Sequence, residues 1–348
     1  MLKKNYFQKL KNSNKVFVIA EAGSNHLKNL KRAYELIDIA KNSGADAVKF
    51  QTFNADRLTF KNTPKAKYQK KNSSRNETHY QMLKKLQLNE TQHLELIKFC
   101  KKKKIQFLST PFDVEDAKLL AKYGIKKFKT SSADLTDYFL HKFLSKNAEQ
   151  VIISTGMSTL TEISKTLKLY NKKKIQIILL HCVSNYPCSD HSLNLNNITT
   201  LKNKFKLPVG FSDHSKSKIA AITAMGLGAR VIERHITLSK KMKGPDHSAS
   251  DNPKQFKNYV MSIRNNELIL GNFEKKLQKE EIEMRKVSRK GIYYSNDLKN
   301  GKKITFNNLF LRRPWGELSI FDIKKLIKKK LIKKVKKNQK LKVNDFKK

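Results

Sequence analysis

Leu207-Pro208-Val209-Gly210-Phe211-Ser212-Asp213-His214 and Ala229-Arg230-Val231-Ile232-Glu233-Arg234-His235 decide the fold of this chain. Each is a short apolar run that ends on a histidine. Both belong to an alternation of short apolar stretches with longer helical patterns. Eight strand candidates emerge: Val16–Ala20, Asp46–Phe50, Ile105–Ser109, Ile125–Thr130, Val151–Ser154, Ile175–His181, Pro208–Phe211 and Arg230–Glu233. Continuous apolar runs of this length suit strands buried on both faces. Between them lie segments with 3.6-residue periodicity, such as Leu30–Asn42, where Leu30, Ala33, Leu36, Ile37 and Ala40 share a face, and Ser217–Leu227. Gly44, Gly124 and Gly228 each stop a helix just before the next strand. The pattern predicts an α/β fold, a (β/α)8 TIM barrel closed by the helix Pro253–Leu270, with its active site at the C-terminal strand ends.

The chain has 348 residues, 39% of them hydrophobic. A barrel takes about 250 residues, so a small second domain is expected. We place the barrel domain at 1–271, a linker at 272–286 and the small domain at 287–348. Within the latter, Gly291–Tyr294, Asn300-Gly301, Ile304–Leu311 and Arg313-Pro314 read as short strands and turns. The tail Lys324–Lys348 alternates lysine runs with apolar pairs, and Leu326, Ile327, Leu331 and Ile332 are expected to give it a buried face.

The formal charge is +45, from 74 basic and 29 acidic residues. That excess suggests nucleic acid, but its make-up argues otherwise. Only ten basic residues are arginine, the preferred reader of base edges, and the lysines are scattered over every expected helix. The expectation is a solvated lysine surface with no specific nucleic-acid partner. Cys100, Cys182 and Cys188 show neither metal spacing nor a disulfide framework, so they read as reduced, mostly buried thiols. No stretch approaches the ~20 apolar residues of a membrane span, and the N-terminal MLKKNYFQKLKNSNK has no signal-peptide core. No membrane partner and a cytoplasmic location are expected.

Three loops after strands are long and polar: Gln51 to about Arg75, Cys182–Leu193 and Ile236–Asn252. In a barrel such loops build the site. The strand ends offer Glu21, Lys49, Gln51, Thr110, Lys129, Ser131, Ser132, Ser184, Tyr186, Ser212, Asp213, His214 and His235, with Asp246 on the last loop. One lysine means little in so lysine-rich a chain. Two lysines, several hydroxyls and the Thr155-Gly156 turn at one mouth suit an anionic ligand such as a phosphate ester bearing a carboxylate. A lone histidine most simply bonds a backbone carbonyl. His214 and His235 end adjacent strands, however, and can meet at one divalent ion with open positions for a substrate carbonyl.

The stretches VFVIAEAGSNH, GADAVKFQTF, FLSTPFD, VIISTGMSTL, LLHCVSNYP, LPVGFSDHS, GARVIERHITL and GPDHSAS, taken in order, resemble the sialic acid synthase family. SRKGIYYSNDLKNGKKITFNNLFLRRP resembles the antifreeze-like (SAF) domain that ends those enzymes. The resemblance implies condensation of phosphoenolpyruvate with an N-acyl hexosamine-type sugar, N-acetylmannosamine or a diacetamido-dideoxy sugar, giving a nonulosonic acid and phosphate. It implies that His214 and His235 hold Mn2+ or Mg2+. Lys49, Thr110, Lys129, Ser131 or Ser132, Ser184 and Ser212 would then bind phosphoenolpyruvate. Glu21, Gln51, Tyr186 and Asp246 would contact the sugar or the attacking water, with Glu21 as the proton-handling group. Arg313 would reach the acylamino group from the other subunit of a domain-swapped homodimer.

The chain departs from the family where His26 is followed by Leu27-Lys28-Asn29 rather than glycine, at Ser131-Ser132-Ala133-Asp134, and at Trp315 after Arg313-Pro314. Lys49-Phe50-Gln51-Thr52 resembles the neuraminate and legionaminate branches more than the pseudaminate one. The alternative chemistry is a Schiff-base aldolase using Lys129 or Lys49, which leaves the histidine pair unexplained.

Overall fold

The computed structural model describes residues 14–66, 69, 76–171, 174–316 and 318–346. Most of the N-terminal segment and most of the end of the loop that follows the second strand, Arg75 included, lie outside the described residues. Chain contacts divide the protein into two units, Met1–Asn272 and Phe273–Lys348.

The first unit carries eight parallel strands: β1 (Phe17–Gly23), β2 (Ala47–Thr52), β3 (Gln106–Pro111), β4 (Lys127–Thr130), β5 (Gln150–Ser154), β6 (Gln176–His181), β7 (Val209–Asp213) and β8 (Val231–His235). They pair in the order β3-β2-β1-β8-β7-β6-β5-β4. The two ends of that order, β3 and β4, lie against each other and close the barrel. Helices follow the strands, among them α1 (Leu30–Asn42), α2 (Ala55–Leu58), α3 (His79–Leu86) and α4 (Glu90–Lys103). In α1, Asn29 caps the first turn by accepting from the Arg32 N–H, while Ala33, Leu36, Ile37 and Ala40 bury one stripe. The helix Pro253–Leu270 starts at a capping box of Asn252 and Gln255 with proline in its first turn. Among the described residues, no helix is long and apolar enough to cross a membrane.

Several expected bounds shift. Strands β1, β2, β3, β7 and β8 run two or three residues past their apolar runs. Their last inward side chains face a polar cavity, so hydropathy ends before backbone pairing does. Only Lys127–Thr130 of the fourth candidate is strand, and the helix expected over Ser217–Leu227 is confined to Ala220–Gly226. Ser217 instead bonds the Ile219 N–H through its own hydroxyl, a local competitor of helix.

Register stacks the barrel interior in layers. Phe17, Ile19, Ala47, Leu108, Ile152, Ile178, Leu180 and Val231 fill the lower layers as one buried cluster. Pairing then sets Glu21 beside both Lys49 and His235, and Ser212 beside Glu233, in the layers above. The interior is tight: a Cβ on Gly210 would come 2.3 Å from the Val231 carbonyl oxygen. A second, larger core joins the outer strand faces to the helices.

The second unit has its own core, built from residues including Ile292, Tyr294, Leu298, Ile304, Leu331, Val335 and Phe346. An antiparallel pair, β9 (Gly291–Tyr294) and β10 (Leu309–Arg312), supports it. Within the stretch placed as a linker at 272–286 a helix begins, and it runs over Glu281–Ser288. In the tail, Leu326 and Leu331 are buried and Ile327 packs partly, whereas Ile332 is 49% exposed. That expectation fails at Ile332 because the tail is extended chain and short turns, so adjacent residues point opposite ways. All three cysteines are buried and unpaired.

Candidate active site

Two ammoniums sit at the centre of the barrel mouth, and the strand register brings them there. Lys49 on β2 lies 2.6 Å from Glu21 Oε2 on β1, 3.1 Å from Thr110 Oγ1 on β3 and 3.7 Å from Glu233 Oε2 on β8. Lys129 on β4 donates to Ser154 Oγ at 2.6 Å and lies 3.7 Å from Glu233 Oε1. All four charged residues are at most 3% exposed. Burial alone would neutralise them, so their pairing decides their state.

Burial pushes Glu21 up to about 7, against the pull of Lys49. Burial also raises Glu233, but Lys129 and Lys49 outweigh it and hold that carboxyl down at about 2. For Lys49, burial is overcome by Glu21 and Glu233, which keep it above the usual lysine range. Lys49 is therefore a fixed cation, not a free amine for a Schiff base. For Lys129, burial wins and its pKa is lowered.

Beyond the lysines lies a hydroxyl-lined shelf. Ser132 accepts from the Gly156 N–H at 3.1 Å and touches Cys182 Sγ at 3.1 Å. Gly156 has no room for a side chain: a Cβ would lie 2.5 Å from Ser184 Oγ and 2.8 Å from Ser132 Oγ. Ser131 donates to Asp134 at 2.6 Å, and burial raises Asp134 to about 6.

The two histidines meet on the opposite side of the mouth, with ring centroids 5.6 Å apart and Tyr186 4.1 Å and 5.4 Å from them. Burial drives His214 down to about 4 and His235 well below its ordinary value, so both rings are neutral. His214 Nδ1 donates to the Val183 carbonyl at 2.7 Å. Ser212 gives its hydrogen to Glu233 at 2.9 Å and sits 3.2 Å from His214 Nε2. The lone pair on Nε2 thus stays unspent. His235 Nδ1 is buried with no hydrogen-bond partner. A neutral imidazole whose second nitrogen is fixed by a carbonyl, beside one with an unused buried nitrogen, is a donor set that fits a divalent cation. Among the described residues no group of three histidine, cysteine or carboxylate side chains forms a metal cage, so other positions would fall to substrate and water.

The strand ends bearing these histidines are held from behind. Arg234 makes two bonds to Asp251 at 2.9 and 3.0 Å and one ion pair to Asp213 at 3.1 Å. Tyr259 donates to Asp213 at 2.9 Å. Because side chains alternate along a strand, this buried network occupies the outward face while the imidazoles occupy the inward one.

Glu21, Lys49, Gln51, Thr110, Lys129, Ser131, Ser132, Ser184, Tyr186, Ser212, His214, His235 and Asp246 all line one cavity of about 460 Å³. Gln51 donates to Glu21 at 3.4 Å, and burial raises Asp246 to about 6. Arg313 belongs to the second unit, between β10 and Pro314. Sequence reasoning missed Glu233, although two-residue periodicity back from His235 passes through it. It also missed an apolar side of the cavity formed by Phe53, Leu58, Met82, Leu83 and Leu86.

Comparison with known proteins follows the same lines. The NeuB family model matches residues 36–275. An N,N'-diacetyllegionaminic acid synthase of Legionella pneumophila is 42% identical over 320 residues, covering 90% of each chain. A second N,N'-diacetyllegionaminic acid synthase, from Campylobacter jejuni, is 41% identical over 308 residues, 88% of this chain and 92% of that one. The crystal structure of an N-acetylneuraminic acid (sialic acid) synthetase from Leptospira borgpetersenii aligns at a TM-score of 0.69 and 33% identity, over 78% of this chain and 90% of that one. The chain belongs to the NeuB family.

Proposed function

We propose that this protein condenses phosphoenolpyruvate with an acylamino sugar and water, releasing phosphate and a nonulosonic acid. The carrying observation is the division of one cavity into a cationic, hydroxyl-lined side and a side with two neutral imidazoles. The first side, with Lys49, Thr110, Lys129, Ser132 and Ser184, suits the phosphate and carboxylate of phosphoenolpyruvate. The second, with Glu21, Gln51, Tyr186 and Asp246 nearby, suits a sugar presenting its open-chain aldehyde. C3 of phosphoenolpyruvate attacks the aldehyde carbon, water adds at C2, and phosphate leaves from the tetrahedral intermediate. Glu21, with its pKa lifted to about 7 by burial, can hold or release a proton at neutral pH. Lys49 and Lys129 are in place before charge gathers on the departing phosphate, so little reorganisation is needed. A divalent cation, Mn2+ or Mg2+, held by His214 Nε2 and His235, would supply a Lewis acid for the aldehyde oxygen.

This reading takes the working enzyme as a cytoplasmic, domain-swapped homodimer, with Arg313 of the second, antifreeze-like unit reading the acylamino group across the interface. The test is phosphate release from phosphoenolpyruvate with a panel of acylamino sugars, run with and without chelator. Turnover should require sugar, stop on chelation and return with Mn2+. His214→Ala and His235→Ala should each remove turnover and, by equilibrium dialysis, Mn2+ binding. Borohydride with pyruvate should leave the protein unlabelled. Covalent labelling of Lys129, or chelator-resistant turnover, would sink the proposal.

A further inference from the structure

The second unit holds a cavity of its own, of about 640 Å³, a size common among small-ligand pockets. Helix Glu281–Ser288 and the two residues after it bring Arg285, Arg289 and Lys290 to its lining. Two of the chain's ten arginines therefore meet here, which a lysine-rich composition does not explain. Elsewhere Arg57, Arg234 and Arg264 each sit on a carboxylate. Among the described residues, these three cations form no ion pair, and the Arg285 Nε is buried with no hydrogen-bond partner. Asp322, the one carboxylate on the described lining, pairs with none of them. The indole beside them is fixed in place. Its backbone N–H donates to the Lys286 carbonyl at 3.0 Å, its carbonyl accepts from Lys340 Nζ at 3.2 Å, and the Arg285 guanidinium lies 4.8 Å from the Trp315 ring centroid. The Arg285 carbonyl is taken by the Arg289 N–H at 3.2 Å. Two helix-end carbonyls that would repel an anion are thus already spent. Phe321, 87% exposed, adds a second ring to the lining. Ser319 accepts from the Phe321 N–H at 3.2 Å and keeps its own hydrogen to donate.

We propose that this cavity binds a phosphate ester carrying a flat ring, the chemistry of a nucleoside monophosphate. Unpaired guanidinium groups offer forked donors that match phosphate oxygens, and the buried Arg285 Nε gains the partner it lacks. Phosphate alone would leave the aromatic part of the lining unused. A base can lie on the Phe321 ring or extend the stack that Arg285 makes with Trp315, since bases stack on both aromatic rings and guanidinium planes. Trp315 is also one of the positions at which the chain departs from the family. The site is therefore a property of this sequence, and it stands independently of the synthase reading.

Trp315 is the only tryptophan of the chain, so its emission reports on this cavity and not on the barrel mouth. The full-length protein is titrated with nucleoside monophosphates, with the matching nucleosides and with inorganic phosphate, exciting at the red edge of the indole band where the bases absorb little. Monophosphates should change the emission saturably and bind about tenfold more tightly than inorganic phosphate, the lower range for one stacked base. Nucleosides should lose a similar factor, because the cations then meet no charge. Arg289→Gln combined with Lys290→Gln changes two exposed side chains outside any core and should weaken the monophosphate about fivefold. No saturable change with any monophosphate, equal affinity for inorganic phosphate, or a double variant that binds as the wild type does would each overturn the site. The first two results need no variant, so misfolding cannot shelter the proposal.

Discussion

Replacing Glu233 by glutamine should expose how the cavity tolerates two buried lysines. Its carboxylate lies 3.7 Å from each ammonium and accepts from Ser212 at 2.9 Å. At an effective dielectric of 20, a charge pair near 4 Å is worth about 4 kcal/mol. Part of that is offset because glutamine costs less to bury than carboxylate. Lys49 keeps Glu21 at 2.6 Å, so Lys129 is the cation left unbalanced. Breaking a buried pair costs about 3–5 kcal/mol, and the remaining partner of Lys49 argues for the lower end. A loss of about 3 kcal/mol should lower the unfolding temperature by roughly 6–12 °C in a domain of this size. The assay is thermal and urea unfolding of wild type and Glu233→Gln, each with and without saturating phosphate. An anion on the shelf supplies the missing negative charge, so phosphate should close much of the gap. A variant within about 0.5 kcal/mol of wild type, the usual scatter of neutral surface changes, would refute the counter-ion argument. So would a gap that phosphate leaves untouched.

Gly156→Ala should leave the fold assembled but raise the KM for phosphoenolpyruvate more than that for sugar, because its Cβ must displace the hydroxyls of Ser184 and Ser132. Overpacking of this kind costs about 1–3 kcal/mol, and an unchanged KM would show that the shelf does not carry the anion. Burial holds His26, His141 and His247 down at about 4. Between the unfolded value near 6.5 and about 4, the unfolded chain binds protons that the native state refuses. Stability is therefore complete above about pH 6.5 and falls toward pH 4, by up to about 1.4 kcal/mol per pH unit for each histidine; urea midpoints that stay flat over that window would contradict it. Co-expressed Arg313→Ala and His235→Ala chains should recover turnover absent from either alone, since a swapped hybrid keeps one intact mouth. Confirmed hybrids without turnover would place Arg313 outside the partner's site.

The barrel was legible because burial on both faces leaves a simple trace, an apolar run between amphipathic helices. The thirteen cavity residues picked from the first unit are all polar: most follow such a run, and Lys49 and Lys129 lie inside one. Glu233 escaped because it is the last residue of its run, where a charge counts as the end of hydropathy rather than as an inward position. The alternation Val231, Glu233, His235 marks it once the strand is known to reach His235. The apolar rim was not legible at all. Phe53 and Met82 meet only because the loop folds α3 back over the mouth, and neither helical periodicity nor strand alternation encodes that long-range contact. Ile332 failed for a related reason, since a leucine–isoleucine pair has one inward face in extended chain.

The charge of the cavity is set independently of the charge of the chain. The whole protein carries +45, yet among the charged residues lining the mouth Lys49 and Lys129 stand against Glu21, Asp134, Glu233 and Asp246. Burial lifts Glu21 to about 7 and both aspartates to about 6, while Glu233 stays ionised. At neutral pH the protein groups of the site therefore carry no net positive charge, and a lysine-rich surface screened beyond roughly 8–10 Å does little to change that. An anion bearing a phosphate and a carboxylate would gain from protons taken up by these carboxyls or from another cation sharing the space. Raised pKa values make the first route inexpensive for Glu21 and Asp134. Two neutral imidazoles with unused nitrogen lone pairs make the second available. Anion affinity in this site should thus rise as pH falls toward 6 and rise again when a divalent ion is supplied. A solvated basic surface would give neither response.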